Sequence, residues 1–285
     1  FSNLCNMSCR TCGSIFSSSW YTEETKLFGP RNHPQIMFAG KHEMDMWDQL
    51  LPHIDNIEQV YFAGGEPLIM EEHYRLLTEL VKRERFDVKL IYNTNFSRTQ
   101  LKDKDVFDYW KLFSNVSVGA SLDGMGTRAE YIRKGTKWDQ IERNREQMME
   151  KCPDVDFYVS STVSLFNVIH IPDFHREWVN KGYLKPQDWN INILQGPDRD
   201  RVDVLPERYK AVAREKIQQH IEWLRPLDHL QRATSGYEGI IKFMEADRTH
   251  ELREFFRVND KTDAFRKESF DVTFPELEGL RDYVK

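Results

Sequence analysis

Residues 59–67 read Gln-Val-Tyr-Phe-Ala-Gly-Gly-Glu-Pro, and this stretch predicts a buried strand that stops at a sharp polar turn. The run 59–63 is short, apolar and rich in aromatic residues, which favours a strand over a helix. Leucine and valine then recur at helical spacing over 71–84. Strand, turn and helix in this order form the repeating unit of α/β proteins, so the stretch predicts a parallel sheet.

The same alternation of strands and helices extends along the chain. Strands are predicted at 88–94, 115–121, 156–163 and 189–194, and helices at 99–112, 139–151 and 172–181. A further strand, clipped by the start of the chain, is expected before Cys5. The sequence therefore predicts an α/β fold, a partial (β/α)6 TIM-like barrel, whose functional residues lie at the carboxyl ends of the strands.

The sequence changes character after residue 195. Residues 196–200 are turn-rich, and helices are predicted at 206–225, 236–247 and 249–266. We therefore expect a core barrel over 1–195 and a C-terminal helical extension over 196–285.

Charge and hydropathy narrow the possible classes of function. Lys and Arg total 40 against 46 Asp and Glu, which gives a formal net charge of −6. A mildly acidic chain is a poor general binder of nucleic acids or anionic membranes. No apolar run approaches the ~20 residues of a membrane span, and no signal peptide is visible, so we expect a cytoplasmic protein. The chain starts at Phe1 and not at Met, which we interpret as a fragment or a processed numbering.

Three of the four cysteines fall within eight residues. Cys5, Cys9 and Cys12 form the pattern C-x3-C-x2-C. Thiolates this close can hold one metal centre from a single loop, and three of them leave one iron of a [4Fe–4S] cluster open to a substrate. A zinc site completed by His33 or His42 is the alternative.

The turn Gly64-Gly65-Glu66-Pro67 is the second motif. Paired glycines at a strand end let the backbone approach a ligand closely. Glu66 adds a carboxylate beside exposed backbone groups, and this combination suits the ammonium group of an amino acid. A plain strand-to-helix turn is the alternative, because Gly and Pro occur in loops of many kinds.

The two motifs together carry a resemblance to a known family. C-x3-C-x2-C followed by Gly-Gly-Glu-Pro resembles the radical S-adenosylmethionine (radical SAM) superfamily. The resemblance implies a [4Fe–4S] cluster on Cys5, Cys9 and Cys12, whose open iron is chelated by the amino and carboxylate groups of S-adenosyl-L-methionine. It also implies that residues 64–66 bind the methionine end, and that reductive cleavage of the cofactor releases a 5′-deoxyadenosyl radical.

Further positions at strand ends match the family less sharply. Ser121-Leu-Asp123-Gly124 is similar to the Ser-x-Asp-Gly step of the twitch/SPASM branches, which lies beside the cofactor's sugar and the substrate. Asn93 and Asn95 end the preceding strand, where the family often places ribose-binding groups. Capping or turn roles are the alternative for each of them.

Three later residues complete the implied cofactor site. The resemblance implies that Arg133 binds the methionine carboxylate, for which a guanidinium fork is well suited. A surface salt bridge is the alternative for this arginine. Leu165 and Asn167 follow the fourth strand and are expected to flank the adenine.

The cysteine count limits the chemistry to one cluster. The twitch/SPASM branches carry auxiliary clusters, but after Cys12 this chain has only Cys152, which we interpret as a structural thiol. Residues 13–45 are expected to form a long loop that either covers the site or is solvated surface.

The resemblance implies an enzyme that abstracts hydrogen from a peptide or small-molecule substrate. An external electron donor such as flavodoxin or ferredoxin would reduce the cluster. Cluster-dependent methyl or aminocarboxypropyl transfer, and a non-catalytic zinc-knuckle binding protein, are the alternatives. The sequence assigns no residue to the substrate radical.

Overall fold

The computed structural model describes residues 1–42 and 44–284. Its strands are β1 (Ser8–Cys9), β2 (Gln59–Phe62), β3 (Lys89–Thr94), β4 (Gln100–Leu101), β5 (Lys104–Asp105), β6 (Val116–Ala120), β7 (Arg133–Lys134), β8 (Asp156–Val163) and β9 (Trp189–Ile193). Its α-helices are α1 (Ser18–Phe28), α2 (Asp45–Leu50), α3 (Glu71–Lys82), α4 (Val106–Trp110), α5 (Gly126–Ile132), α6 (Trp138–Lys151), α7 (Ile171–Asn180), α8 (Glu207–Leu224), α9 (Arg232–Phe243), α10 (Leu252–Arg266) and α11 (Phe270–Thr273).

The main sheet of the described chain has five strands in the order β2–β3–β6–β8–β9. The β2–β3, β3–β6 and β8–β9 pairs are parallel. Sheet order follows chain order, and helices lie in the connections, as parallel crossovers require. The α/β fold, a partial TIM-like barrel with additional helices, is therefore confirmed.

The predicted strand before Cys5 is not part of this sheet, within the residues that the structure describes. Ser2 instead forms a single antiparallel bridge with Phe38. Beside it, the N–H of Asn3 donates to the carbonyl of Met37 at 3.2 Å. The backbone of residues 2 and 3 thus pairs with the segment around residue 38 and not with β2. β2 therefore lies at the edge of the described sheet.

Two other segments differ from their predictions. The first half of the predicted helix 99–112 is a hairpin of β4 and β5, and Lys102 in its turn has a φ of 57°. The helix begins only at α4, where the side chain of Asp105 accepts the N–H of Phe107. The expected loop 13–45 contains α1, whose role is described with the site.

The chain divides into two compact units by its internal contacts. The first unit comprises Phe1–Ser121 and Lys134–Tyr158, and the second comprises Leu122–Arg133 and the residues from Val159 onward. The division at residue 195 that the sequence suggests stays a prediction.

Each unit has its own buried core. In the first, the rings of Phe62 and Tyr92 stack with their centroids 4.8 Å apart, and Nε2 of His73 lies 3.0 Å from the Tyr92 hydroxyl. In the second, α9 packs on β9, and the ring of His175 stacks on Trp189 at 4.5 Å. Among the helices of residues 1–42 and 44–284, we find none with the length and apolar character of a membrane span.

Candidate active site

Glu66 lies in the turn after β2 and is fully buried. Its Oε1 accepts hydrogen bonds from the N–H of Leu68 at 3.1 Å and from the hydroxyl of Thr94 at 2.7 Å. Its Oε2 accepts the N–H of Asn95 at 2.6 Å. Two of these three donors, Thr94 and Asn95, lie at the end of β3, so this side chain fixes the turn to that strand.

The two glycines of the turn differ in their surroundings. Gly64 and Gly65 have φ values of 83° and 55°, a region that favours glycine. A Cβ at Gly64 would have open space around it to 4 Å, whereas a Cβ at Gly65 would lie 2.4 Å from the carbonyl oxygen of Leu4. The N–H of Glu66 donates to the same carbonyl at 2.7 Å. Because Leu4 immediately precedes Cys5, the structure places the glycine turn against the residue next to the cysteine motif.

We call residues 5–12 the cysteine loop. Cys9 is buried, and Cys5 and Cys12 are half-buried. The N–H of Cys12 donates to the carbonyl of Cys9 at 3.0 Å, which closes a tight turn between these two cysteines. Three potential thiolate ligands therefore share one short loop that begins beside the glycine turn.

The donor set of the cysteine loop fits an iron–sulfur cluster in chemical type, since Cys thiolates are the usual ligands of such clusters. Within residues 1–42 and 44–284, no group of three or more His, Cys, Asp or Glu side chains is assembled to hold a metal ion. The fit therefore depends on the donor type and on the spacing of the cysteines along the loop.

His33, one of the two histidines considered for a zinc site, is engaged at both ring nitrogens. Its Nε2 lies 3.1 Å from the hydroxyl of Ser14, and its Nδ1 lies 2.9 Å from the carbonyl of Pro34. His42, the other candidate, is exposed.

The start of α1 holds the backbone of the cysteine loop in place. The hydroxyl of Ser19 donates to the carbonyl of Cys5 at 2.6 Å, and Nε1 of Trp20 donates to the carbonyl of Cys9 at 2.6 Å. The N–H of Cys5 donates to the hydroxyl of Ser18 at 3.2 Å. The sequence reasoning missed this role, although a run of hydroxyl residues soon after the cysteines was its signal.

Asn95 connects the end of β3 to the cysteine loop. Its Nδ2 donates to Oδ1 of Asn6 at 2.9 Å, Nδ2 of Asn6 donates to the hydroxyl of Ser97 at 3.0 Å, and that hydroxyl donates to Oδ1 of Asn95 at 2.7 Å. These bonds form a closed ring of three side chains. Asn6 lies inside the cysteine loop, so the ring ties this loop to the strand that Glu66 also holds.

The other polar residues at the ends of β3 and β6 lie in the same unit. The N–H of Ser121 donates to the carbonyl of Thr94 at 2.7 Å, and the residue is half-buried. Nδ2 of Asn93 donates to the hydroxyl of Tyr61 at 2.6 Å. Asn93 is therefore engaged with an exposed residue of β2, and Ser121 extends the pairing of β3 with β6.

Asp123 and Arg133 form a buried ion pair in the second unit. Nε of Arg133 donates to Oδ2 of Asp123 at 2.7 Å, and the two side chains are 14% and 1% exposed. Oδ1 of Asp123 accepts the N–H of Thr162 at 2.8 Å. The salt bridge considered for Arg133 thus exists, but it is buried and anchors the segment that follows β6.

Leu165 and Asn167 are almost completely buried in the loop after β8. Nδ2 of Asn167 donates to the carbonyls of Asp123 and Thr162, both at 2.9 Å, and its Oδ1 accepts the N–H of Ser164 at 2.8 Å. The amide of Asn167 therefore holds this loop against the Asp123 segment.

Comparison with known proteins identifies similar folds without a close relative. No protein-family profile matches the sequence, and no curated protein matches it significantly. Native anSMEcpe with bound AdoMet (S-adenosylmethionine) matches at 16% identity and a TM-score of 0.51, over 77% of this chain and 58% of that one. The chain has the fold of this AdoMet-bound structure.

Two further structures extend the comparison. Native anSMEcpe with AdoMet and the Kp18Cys peptide matches at 16% identity and a TM-score of 0.52, over 79% of this chain and 59% of that one. Streptococcus suis SuiB bound to S-adenosylmethionine matches at 14% identity and a TM-score of 0.46, over 77% of this chain and 42% of that one. The chain spans less than two thirds of each of these structures.

Proposed function

We propose that this chain is a radical SAM enzyme with one [4Fe–4S] cluster on Cys5, Cys9 and Cys12. The contact between the glycine turn and the residue next to the cysteine motif carries the proposal, because Glu66 and Leu4 are joined by a 2.7 Å backbone hydrogen bond. A cluster on the cysteine loop would thus lie next to a turn suited to an amino-acid ammonium. The likeness in fold to AdoMet-bound structures supports the same cofactor.

The glycine turn would bind the methionine end of S-adenosyl-L-methionine through its backbone. The side-chain oxygens of Glu66 already accept three hydrogen bonds from the protein, so we assign this residue to fixing the turn. The open space at Gly64 leaves room for a ligand beside its backbone, and Gly65 lets the turn approach the cysteine loop. The carbonyls of the turn are then the acceptors for the ammonium.

The other candidate residues would orient the cofactor or the loop that holds its cluster. We assign Asn95 to holding the cysteine loop through Asn6, and Ser121 to the ribose side of the cofactor. Arg133 would meet the methionine carboxylate while its Nε stays on Asp123, since a guanidinium has further donors. Leu165 and Asn167 would shape the adenine side.

When bound to Cys5, Cys9 and Cys12, the cluster would supply the electron for reductive cleavage of S-adenosyl-L-methionine, and the cofactor would supply a 5′-deoxyadenosyl radical for hydrogen abstraction from the substrate. The cysteine loop and the glycine turn of this chain would hold both groups. We propose a peptide substrate, which the peptide complex of anSMEcpe supports, with a small molecule as the alternative.

The proposal extends to the branch of the superfamily, the electron donor and the cellular location. The Ser121-Leu-Asp123-Gly124 step supports a twitch/SPASM-like barrel, and the four cysteines of these 285 residues leave no second cluster set. An external donor such as flavodoxin or ferredoxin would supply the electron. A reducing compartment suits such a site, so we propose a cytoplasmic location.

Anaerobic reconstitution tests this proposal. We expect a brown protein with about four irons and absorbance near ~400 nm, as [4Fe–4S] thiolate clusters show. With dithionite and S-adenosyl-L-methionine it should release 5′-deoxyadenosine, which chromatography with mass detection identifies. Stoichiometric zinc without iron would instead establish the zinc-knuckle protein, and release of methylthioadenosine would establish aminocarboxypropyl transfer.

A further inference from the structure

A polar cavity of about 480 Å³ opens beside the cysteine loop in the first unit. One wall is Asn6 of the loop itself, and another is Ser97, which follows β3. A third wall comes from α6, through Gln140 and Asn144. The cavity therefore lies beside the cysteine loop, and the glycine turn is not among its lining residues.

The lining of this cavity carries positive charge only. Arg98 and Lys137 are its charged residues, and no carboxylate is among the side chains that line it. Both cations are exposed, and in the described parts of the chain neither forms an ion pair. The nearby carboxylate of Asp105, which Gln100 contacts, is paired with Lys151 at 2.8 Å.

α6 contributes uncharged polar side chains to the lining of the cavity. Gln140, Asn144 and Gln147 recur at helical spacing and line the cavity. Arg143 lies beside them, with its Nη2 donating to Gln140 at 3.1 Å. The acidic residues of the helix fall at other positions and do not line the cavity: Asp139, Glu142, Glu146 and Glu150. The charged lining of this cavity therefore consists of two cations, Arg98 and Lys137, next to the cysteine loop of a chain with a net charge of −6.

We propose that the cavity lining, with Arg98 and Lys137 as its charged residues, docks an acidic one-electron carrier protein that reduces the cluster. The inference rests on the proposed function and names its reductant site. One electron would leave the reduced carrier, which becomes oxidised by one electron, and the cluster would gain that electron. Complementary charge steers such partners together and raises their association rate at low salt.

The cavity lies close to two of the proposed cluster ligands. Asn6 lies between Cys5 and Cys9 and lines the cavity, so a carrier seated there would approach the ligands of the cluster through one residue. The closed hydrogen-bond ring of Asn6, Asn95 and Ser97 would keep this short path rigid.

Charge reversal tests the surface. We would make Arg98→Glu and Lys137→Glu, singly and together, with Lys41→Glu as the matched control, because Lys41 is exposed and does not line the cavity. Stopped-flow loss of cluster absorbance would follow reduction by reduced flavodoxin at several salt concentrations. Calorimetry with flavodoxin would measure binding to the same proteins, including the cluster-free forms.

We expect the double variant to reduce at least about tenfold more slowly with flavodoxin at low salt, to lose most of its salt dependence and to bind flavodoxin more weakly. Reduction by dithionite and the unfolding free energy should stay as in the parent protein. Flavodoxin binding and reduction equal to those of the parent, or an equal loss in Lys41→Glu, would overturn the proposal. Failure of the proposed function would look different: the parent protein would form no cluster, or no 5′-deoxyadenosine with dithionite.

Discussion

The N–H of Asn95 donates a 2.6 Å hydrogen bond to Oε2 of the fully buried Glu66. This bond joins the ends of β2 and β3, which are neighbouring parallel strands. The side chain of Asn95 then reaches Asn6 in the cysteine loop. The glycine turn and the cysteine loop are therefore held by one continuous set of hydrogen bonds before any cofactor binds.

Replacement of Glu66 by Gln tests the hydrogen bonds that hold the glycine turn. The amide keeps one acceptor oxygen but turns the other into a donor, which would face a donor of Leu68, Thr94 or Asn95. We expect the free energy of unfolding in urea to fall by about 1–3 kcal/mol, the cost of an unsatisfied buried donor. Affinity for S-adenosyl-L-methionine should fall as well. The exposed Glu58→Gln variant is the control and should stay within about 0.5 kcal/mol; equal stability of both variants would contradict the role of Glu66.

The two glycines of the turn allow a paired comparison. Both Gly64→Ala and Gly65→Ala add the strain of a Cβ at positive φ, about 1–2 kcal/mol. Only the second adds a collision, because its Cβ would meet the carbonyl of Leu4 at 2.4 Å. We expect Gly65→Ala to lose clearly more unfolding free energy and also cluster content. If Gly64→Ala were the more damaging for folding, the turn would not be packed as described.

A comparison of two buried cysteines, Cys9 inside the cysteine loop and Cys152 outside it, distinguishes a cluster ligand from a structural thiol. Cys9→Ala should abolish the brown colour and reduce the iron content after reconstitution to background. Cys152 is buried with its Sγ 3.3 Å from the carbonyl of Phe107, and burial raises the pKa of its thiol to about 11. A thiol that stays protonated is a poor ligand. Cys152→Ala should therefore keep its iron and lose only packing stability, and iron loss in both variants would contradict the assignment.

The ion pair of Asp123 and Arg133 is expected to be costly to break. Arg133→Met would leave a carboxylate that is 1% exposed without its charged partner, and we expect a loss of about 3–5 kcal/mol in unfolding free energy. Asp123→Asn in the same background should recover part of that loss, because the buried charge is gone. A double-mutant cycle in urea measures the coupling, and additive losses would show that the pair does not interact in solution.

Much of the sheet could be predicted because buried parallel strands are apolar runs with polar residues at their ends. Tyr92 is buried in β3 as its sequence pattern suggests, and the Gly-Gly-Glu turn comes where β2 ends. The prediction that 59–63 is a buried strand is wrong in part, because β2 is the first strand in the order of the described sheet and only its Phe62 is buried, while Tyr61 is 56% exposed. The contact of this turn with Leu4 was not predictable, because it depends on how a loop far away in the sequence folds back.

The misread segments have local causes. The apolar spacing of 99–112 suited a helix, but Asp105 caps α4 and Lys102 adopts positive φ, so a hairpin precedes the helix. The hydroxyls of Ser18 and Ser19 gave no periodic signal, since their partners are backbone groups of the cysteine loop. The hydrogen bonds of the buried Glu66 and Asn167 side chains were also not predictable. A sequence shows which groups can form hydrogen bonds, but it does not show their partners.

Stability should decrease as the pH falls below neutrality, because several histidines are buried in the neutral form. Burial lowers the pKa of His73 and His220 to about 3, and burial with the nearby Arg128 charge lowers that of His170 to about 4. These folded values lie below the ordinary pKa of about 6.5, so the unfolded chain takes up protons first as the pH falls. The stabilisation is complete above pH ~6.5 and is lost progressively toward the folded values.

The Nε2 of His170 illustrates the cause, since it accepts the N–H of Met125 at 3.2 Å and must remain unprotonated to do so. We expect each such histidine to add up to about 1.4 kcal/mol of lost unfolding free energy per pH unit between pH ~6 and ~5. Urea unfolding at a series of pH values measures the slope. His170→Gln keeps an acceptor and removes one titrating group, so its slope should be smaller than that of the exposed His53→Gln control. Equal slopes in the two variants would mean that His170 is accessible to protons in the folded state.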